Sequence, residues 1–150
     1  MSRRKGNLEA WLETALSCLL DKDVEGWVNH WEEDGRIEFP FAPADYVAKV
    51  EGKAAIADYM NSLPTKFDFR RFDVLTAYSD ASGQQAVVEF TCEGTVLETG
   101  RPYHQHYVAL LTFNEDGKVL IYRDFWNPLV AMEAFDGTQR LIGALSEGKD

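Results

Sequence analysis

Residues 117–128 read GKVLIYRDFWNP, and the arrangement of the rest of the chain follows from this stretch. Gly117 closes a turn and Asn127-Pro128 opens a helix, so the residues between them form one long strand. Alternate residues of a strand share a face. Leu120, Tyr122, Asp124 and Trp126 therefore point one way, and Val119, Ile121, Arg123 and Phe125 the other. Both faces are apolar apart from Arg123 and Asp124, the pattern of an interior strand covered on both sides. Arg123 and Asp124 are adjacent but aim oppositely, so the arginine is poorly placed to neutralise the aspartate. A carboxylate set among Leu, Tyr and Trp without a counter-charge should titrate well above its usual range.

Working outward, three further strands precede this one, at 72–78, 86–97 and 103–113, with the last running over 118–126. All are rich in Val, Tyr, Phe and Thr. Turn-like residues at 80–83, 98–101 and 114–117 separate them, which predicts successive antiparallel hairpins. The N-terminal half has a different texture. Leu8, Trp11, Leu12, Ala15, Leu16, Leu19 and Leu20 recur at helical spacing, with Asn7 as the expected cap. Val24, Trp27, Val28 and Trp31 continue that period as a second helix ended by Gly35. Residues 36–39 alternate as a short strand that Pro40 and Pro43 break into a loop. A third helix over about 52–63 puts Ile56, Tyr59, Met60 and Leu63 on one face, with Pro64 as its stop. Helices first and a strand meander afterwards give an α+β chain with the helices on one face of a curved sheet. A single domain is expected over 1–150, with its core at about 8–135 and a helical C-terminal segment at 128–146.

A length of 150 residues allows one sizeable core. A formal net charge of −10 argues against nucleic acid or an anionic membrane as partner, since both need a basic surface. No run is long and apolar enough to span a membrane, and Glu9 and Glu13 interrupt what would follow the basic residues at 3–5 in a signal peptide. Cys18 and Cys92 have neither metal nor redox spacing and read as thiols of a reducing, cytoplasmic compartment.

A four-residue turn at 114–117 pairs Phe113 with Lys118, and so sets Tyr107 opposite Asp124 and Gln105 opposite Trp126. The same count across 98–101 places Cys92 beside Tyr107 and pairs Glu93 with His106. One side of the sheet then offers Phe90, Cys92, Tyr107, Ala109, Tyr122, Asp124 and Trp126, an apolar wall with one acid, the make-up of a small-molecule pocket. The other side carries Glu89, Glu93, His104, His106 and Arg123 and suits a mixed interface with a second subunit.

At these residues the sequence resembles a known family. GKVLIYRDFWNP, with RPYHQHYVALLTFNED before it and GRIEFPFAP and VEGKAAIADYM further upstream, is similar to the SnoaL-like branch of the nuclear transport factor 2-like superfamily. The nearest pattern is that of the phenazine-biosynthesis PhzA/PhzB type. The match covers roughly residues 8–135, and Arg123–Pro128 resembles that type's R-E-F-x-N-P run with Asp in place of Glu. The resemblance implies a cone: a bent antiparallel sheet wrapped around three N-terminal helices, a deep internal pocket, and a dimer through the sheet. Tyr59 and Leu63 stand where the phenazine type has a His and a Ser on its third helix. Phe39 stands where the ketosteroid isomerases of the superfamily carry their base.

The resulting expectation is a cofactor-independent, metal-free isomerase or cyclase acting on a small, largely apolar carbonyl compound of secondary metabolism. Asp124 would move the proton, and Tyr59 or Tyr107 would polarise the oxygen. Trp126, Tyr122, Phe39, Trp31, Cys92, Phe90, Ala109 and Met60 would contact the substrate. Two alternatives share the pattern: a non-catalytic small-molecule carrier with the same pocket, and an interaction module working through the outer sheet. His104 and His106 share a strand face as metal ligands would, but a third ligand is missing, and positions 110 and 111 are leucine.

Overall fold

Leu8, Trp11, Ala15 and Leu16 form the buried stripe of the first helix, α1 (Asn7–Leu20), and a one-turn break leads to α2 (Val24–Val28), capped by the Asp23 side chain on the Gly26 amide. The computed structural model describes residues 6–44 and 46–135. After α2 come β1 (Trp31–Glu38), β2 (Lys49–Glu51), α3 (Lys53–Lys66), β3 (Phe67–Ser79), β4 (Gln85–Val96), β5 (Pro102–Phe113), β6 (Val119–Trp126) and α4 (Pro128–Ala134). The strands make one sheet in the order β2-β1-β6-β5-β4-β3. Every neighbouring pair is antiparallel except β1 and β6, which run parallel. The fold is α+β, with the three N-terminal helices held in the concavity of a curved, unclosed sheet. Bulges help to bend it: β3 slips register between Phe69 and Arg71 and again between Val74 and Thr76.

The inner face of the sheet is legible in the burial of β4 and β5. Ala86, Val88, Phe90, Cys92 and Val96 on one strand, and Tyr103, Gln105, Ala109, Leu111 and Phe113 on the other, are buried at every second position. These meet Trp11, Ala15, Ile56 and Met60 from the helices in one continuous core. No helix among the described residues is long and apolar enough to cross a membrane.

Several expectations need correction. Trp31 does not continue the second helix. It opens β1, because the chain there joins β6: the Val119 amide donates to His30 O at 2.7 Å and Trp31 pairs with Val119. Pro64 sits inside the last turn of α3 and does not stop it. Asn7 is not a cap; its side-chain amide reaches the Gly83 carbonyl at 2.9 Å, tying α1 to the β3–β4 turn. Residues 49–51 add a short edge strand, where a loop is expected. The helical segment proposed to run to 146 is described only as α4, and the remainder lies outside the described residues.

The hairpin registers differ from expectation by two residues, for identifiable reasons. Asn114, not Phe113, closes the last turn against Lys118, with its side chain accepting from the amides of Asp116 and Lys118. A bulge at Leu120 then adds a second residue, so Phe113 faces Val119 while Thr112 faces Ile121. Asp124 therefore lies opposite Ala109 and Trp126 opposite Tyr107. An even slip leaves Tyr122, Asp124 and Trp126 on their expected face, whereas the bulge turns Val119 inward. Across β4 and β5 the loop is 97–100, closed by Val96 and Arg101, so Phe90 faces Tyr107 and Cys92 faces Gln105.

Gly94 shows how tightly β3 is folded over its neighbour. A Cβ built there would lie 2.6 Å from Asp68 O and 3.3 Å from Phe69 Cα, both backbone atoms that cannot swing aside. Gly94→Ala is expected to cost about 1–3 kcal/mol, seen as a lower urea midpoint; an unchanged midpoint would show that β3 can give way.

Candidate active site

Tyr122 anchors the closed end of the cone. Its ring lies 6.0 Å from Trp11, 6.2 Å from Trp27 and 6.2 Å from Trp31, and Trp27 and Trp31 pack on each other at 5.6 Å. Two residues along β6 on the same face comes Asp124, and two further comes Trp126, whose ring meets Tyr46 edge-on at 5.8 Å. Asp124 is thus set between two large rings that packing holds in place.

Trp27, Tyr46, Tyr122, Asp124 and Trp126 border a cavity of about 100 Å³. Its wall is drawn from every layer: Leu19 and Trp27 from the first two helices, Ile37 from β1 and Phe39 just after it, Tyr59, Met60 and Leu63 from α3, Phe67, Phe69 and Phe72 from β3, and Ala131 from α4. Phe90 on β4, Tyr103 and Tyr107 on β5, and Tyr46 complete it. Among the described residues, the polar side-chain groups on this wall besides Asp124 are the hydroxyls of Tyr46, Tyr59, Tyr103, Tyr107 and Tyr122 and the indoles of Trp27 and Trp126.

Asp124 carries the electrostatic signature of the site. Its Oδ1 is shut off from solvent and has no hydrogen-bond partner among the described residues. The neighbouring Arg123 points to the other side of the sheet, with Nε 3.2 Å from Glu38 Oε1 and its guanidinium 5.3 Å from the centre of the Phe125 ring. Burial pushes the Asp124 carboxyl up to about 7. The phenols around it are raised as well. Burial is the main cause at Tyr46, Tyr59, Tyr103, Tyr107 and Tyr122, with the charge of Asp124 adding to it in each case. They stay protonated at any ordinary pH and are available as donors. Tyr46 and Tyr59 share a hydrogen bond, with their oxygens 2.6 Å apart.

Eight of the sequence-selected residues come together on the cavity wall: Asp124, Tyr107, Tyr59, Trp126, Tyr122, Phe39, Phe90 and Met60. Three do not. Trp31, only 1% exposed, is spent on Trp27 and Tyr122 and covers Gly35. Cys92 sits behind the phenols, its Sγ 3.8 Å from Tyr103 O and 3.9 Å from the Tyr107 hydroxyl. Ala109 is fully buried across from Asp124, where its methyl is too short to reach the cavity. Tyr46 and Tyr103 were missed. Tyr46 follows a proline-rich loop with no periodicity to read, but Tyr103 shares the inward alternation of Gln105 and Tyr107 and could have been found. His104 and His106 face outward, and His106 Nε2 bonds Glu89 Oε2 at 2.7 Å rather than Glu93. Among the described residues no three His, Cys, Asp or Glu side chains cluster as a metal site requires.

A cone of this topology with an acid inside defines a class, and comparison with known proteins gives it a name. Residues 8–122 match the SnoaL-like domain, and the chain belongs to that family. It is 40% identical over 127 residues to the YesE protein of Bacillus subtilis, covering 85% of this chain and 86% of that one. It is 34% identical over 133 residues to a PhzA/B-like protein of Pseudomonas aeruginosa, covering 89% and 93%. A crystal structure of a Bacillus subtilis protein provisionally named an isomerase superposes with a TM-score of 0.83 at 39% identity, over 88% of this chain and 94% of that one.

The raised carboxyl has a consequence for stability. Its titration point is higher folded than unfolded, so the native state is favoured most below the unfolded value of 3.8 and loses stability as pH rises through about 7. Asp124→Asn removes that loss. Its stability relative to the parent, from urea melts, should improve by roughly 2–3 kcal/mol between about pH 5 and pH 8. A difference that does not vary with pH would mean the carboxyl titrates normally.

Proposed function

We propose that the cavity is an active site for proton transfer at a carbon next to a carbonyl group, serving an isomerisation or cyclisation of a small, mostly apolar compound. The observation that carries this reading is the unpaired Asp124 carboxyl, which titrates near neutrality inside an aromatic chamber. A base with that poise is half-ionised at working pH and can both take and return a proton. In the forward step Asp124 takes a proton from carbon, and the C–H electron pair moves into the carbonyl as an enolate. A phenol proton stabilises the enolate oxygen. Return of the proton to a different carbon completes an isomerisation; attack of the enolate carbon on a second carbonyl of the same molecule closes a ring, and the alkoxide so formed takes the proton back from Asp124. The base and the oxygen donor both come from the chain, so the step needs no cofactor. A provisional naming as isomerase of the 39%-identical Bacillus subtilis protein is consistent with this chemistry. A cavity of this size suits about one ring, since an engineered void of ~150 Å³ holds benzene.

Cyclohexanone is a suitable probe. In D2O the protein should accelerate deuterium uptake next to its carbonyl, measured by mass spectrometry, and Asp124→Asn should lower that rate by roughly 10²–10⁴-fold with the fold intact. Equal uptake with and without the carboxylate would remove Asp124 from the chemistry.

The same assay has a defined pH profile. Only the ionised carboxylate abstracts a proton, so the rate should climb as pH passes about 7 and level off above it. A profile flat from about pH 5 to pH 9 would contradict a base of this poise.

A further inference from the structure

Gln105 is the buried polar side chain of the core, 1% exposed, and all four of its hydrogen-bonding positions are used. Its Oε1 accepts from the amides of His106 at 3.0 Å and Asn127 at 2.9 Å. Its Nε2 lies 3.0 Å from Asn127 O and 3.2 Å from the Tyr103 hydroxyl. Backbone N–H groups only donate, so the oxygen must face them and the orientation of the amide is fixed. An amide N–H also only donates, so the Tyr103 hydroxyl is an acceptor at this contact and its own proton points elsewhere.

The neighbouring hydroxyl is that of Tyr107, which interacts with Tyr103. Two hydroxyls carry two protons, and one at most lies between them. The other is left over, and both rings border the cavity. We propose that Gln105 is a positioning residue that fixes the Tyr103–Tyr107 pair as a hydrogen-bond donor into the cavity, so that a ligand meets the β5 wall with an oxygen lone pair, as a carbonyl or enolate oxygen. The proposal rests on the carbonyl reading of the site and says which wall receives the oxygen.

Gln105→Glu tests it directly. The substitution keeps an oxygen facing the two amides but sets a second acceptor where Nε2 donates. Tyr103 then gives its proton to residue 105, Tyr107 gives its own to Tyr103, and none remains for the cavity. The probe is 2-cyclohexen-1-one, with its carbonyl stretch read by infrared difference spectroscopy and its affinity by quenching of tryptophan fluorescence. In the parent the bound carbonyl should absorb at lower frequency than in water-free solvent. Gln105→Glu should lose most of that lowering and bind about 2- to 10-fold more weakly, the effect of one hydrogen bond. A Tyr103→Phe/Tyr107→Phe double variant, which removes both hydroxyls and keeps the rings, should do the same and decides the matter alone if Gln105→Glu does not fold. A folded variant of either kind with an unchanged stretch, or a parent whose bound carbonyl is not lowered, overturns the proposal. Asp124→Asn should keep the lowered stretch while losing deuterium exchange, so failure of the donor and failure of the base are read separately.

Discussion

A carboxyl group turned into a core stays unpaired only where its surroundings are too rigid to offer it a partner or let it escape, and here the central strand supplies that rigidity. β6 lies between β1 and β5, so its backbone is committed on both edges. On its inner face Tyr122 is gripped by three tryptophans, and Trp126 is held by Tyr46 and its cross-strand neighbour Tyr107. Asp124 is the residue between them, and moving it outward would require unpacking one of those rings, each worth several kcal/mol of burial. The nearest cation in sequence, Arg123, is occupied with Glu38 and Phe125 on the opposite face. The strand's two-residue period therefore does two things at once: it aims the acid into the core and its natural counter-ion away from it.

The phenols complete this arrangement by bonding to one another. A cation at the cavity would pull the Asp124 carboxyl back down, and a hydroxyl donated to the carboxylate would do the same more weakly. The Tyr46 and Tyr59 hydroxyls instead share a short hydrogen bond, and Tyr103 is occupied by Gln105. Phenols whose shown partners are groups other than Asp124 line the chamber without neutralising its carboxyl. They also remain protonated beside a carboxylate, because burial and the negative charge both resist their ionisation. Carboxyl and phenols are thus kept chemically distinct in a volume that contains little else that is polar.

How much of this was legible depended on whether the signal was local. The inward face of β6 and the isolation of Asp124 follow from alternation along a single strand, and they survive a two-residue register slip because the slip is even. The turn at Asn114 and the bulge at Leu120 were not legible, since either pairing uses similar residues. Trp31 fits the helical period of Trp27 and Val28 but is claimed by pairing with a strand almost ninety positions later, a choice made by tertiary contacts. Tyr46 arrives from a loop, and Phe67 and Phe69 share a face by simple alternation while the bulge between Phe69 and Arg71 brings Phe72 to the same side. Gln105 looks like an ordinary polar strand residue until the end of β6 is seen. There its amide exchanges bonds with the backbone of Asn127 as another strand would.

That substitution of a side chain for a strand links the site to the end of the fold. β6 stops pairing with β5 at Trp126, and Asn127 turns the chain into α4, with its side chain accepting from the Leu129 amide. Gln105 bridges the gap, so one amide both holds the start of α4 against β5 and faces Tyr103. At the far end of α4, Thr99 and Arg101 bond the carbonyls of Ala134 and Glu133, and Ala131 in its middle borders the cavity. The helix is therefore fixed at both ends by residues of the β4–β5 region, and the wall it contributes is set by the same strands that carry the phenols. The walls that carry the carboxyl and the phenols are the firmly tied ones. The aromatic wall on β3, with half-buried Phe69 and Phe72 on a twice-bulged edge strand, is tied to β4 from its exposed side, where Arg70 Nη1 lies 2.6 Å from Thr95 Oγ1, so its rings are placed by packing and are the part of the wall that can repack at least cost.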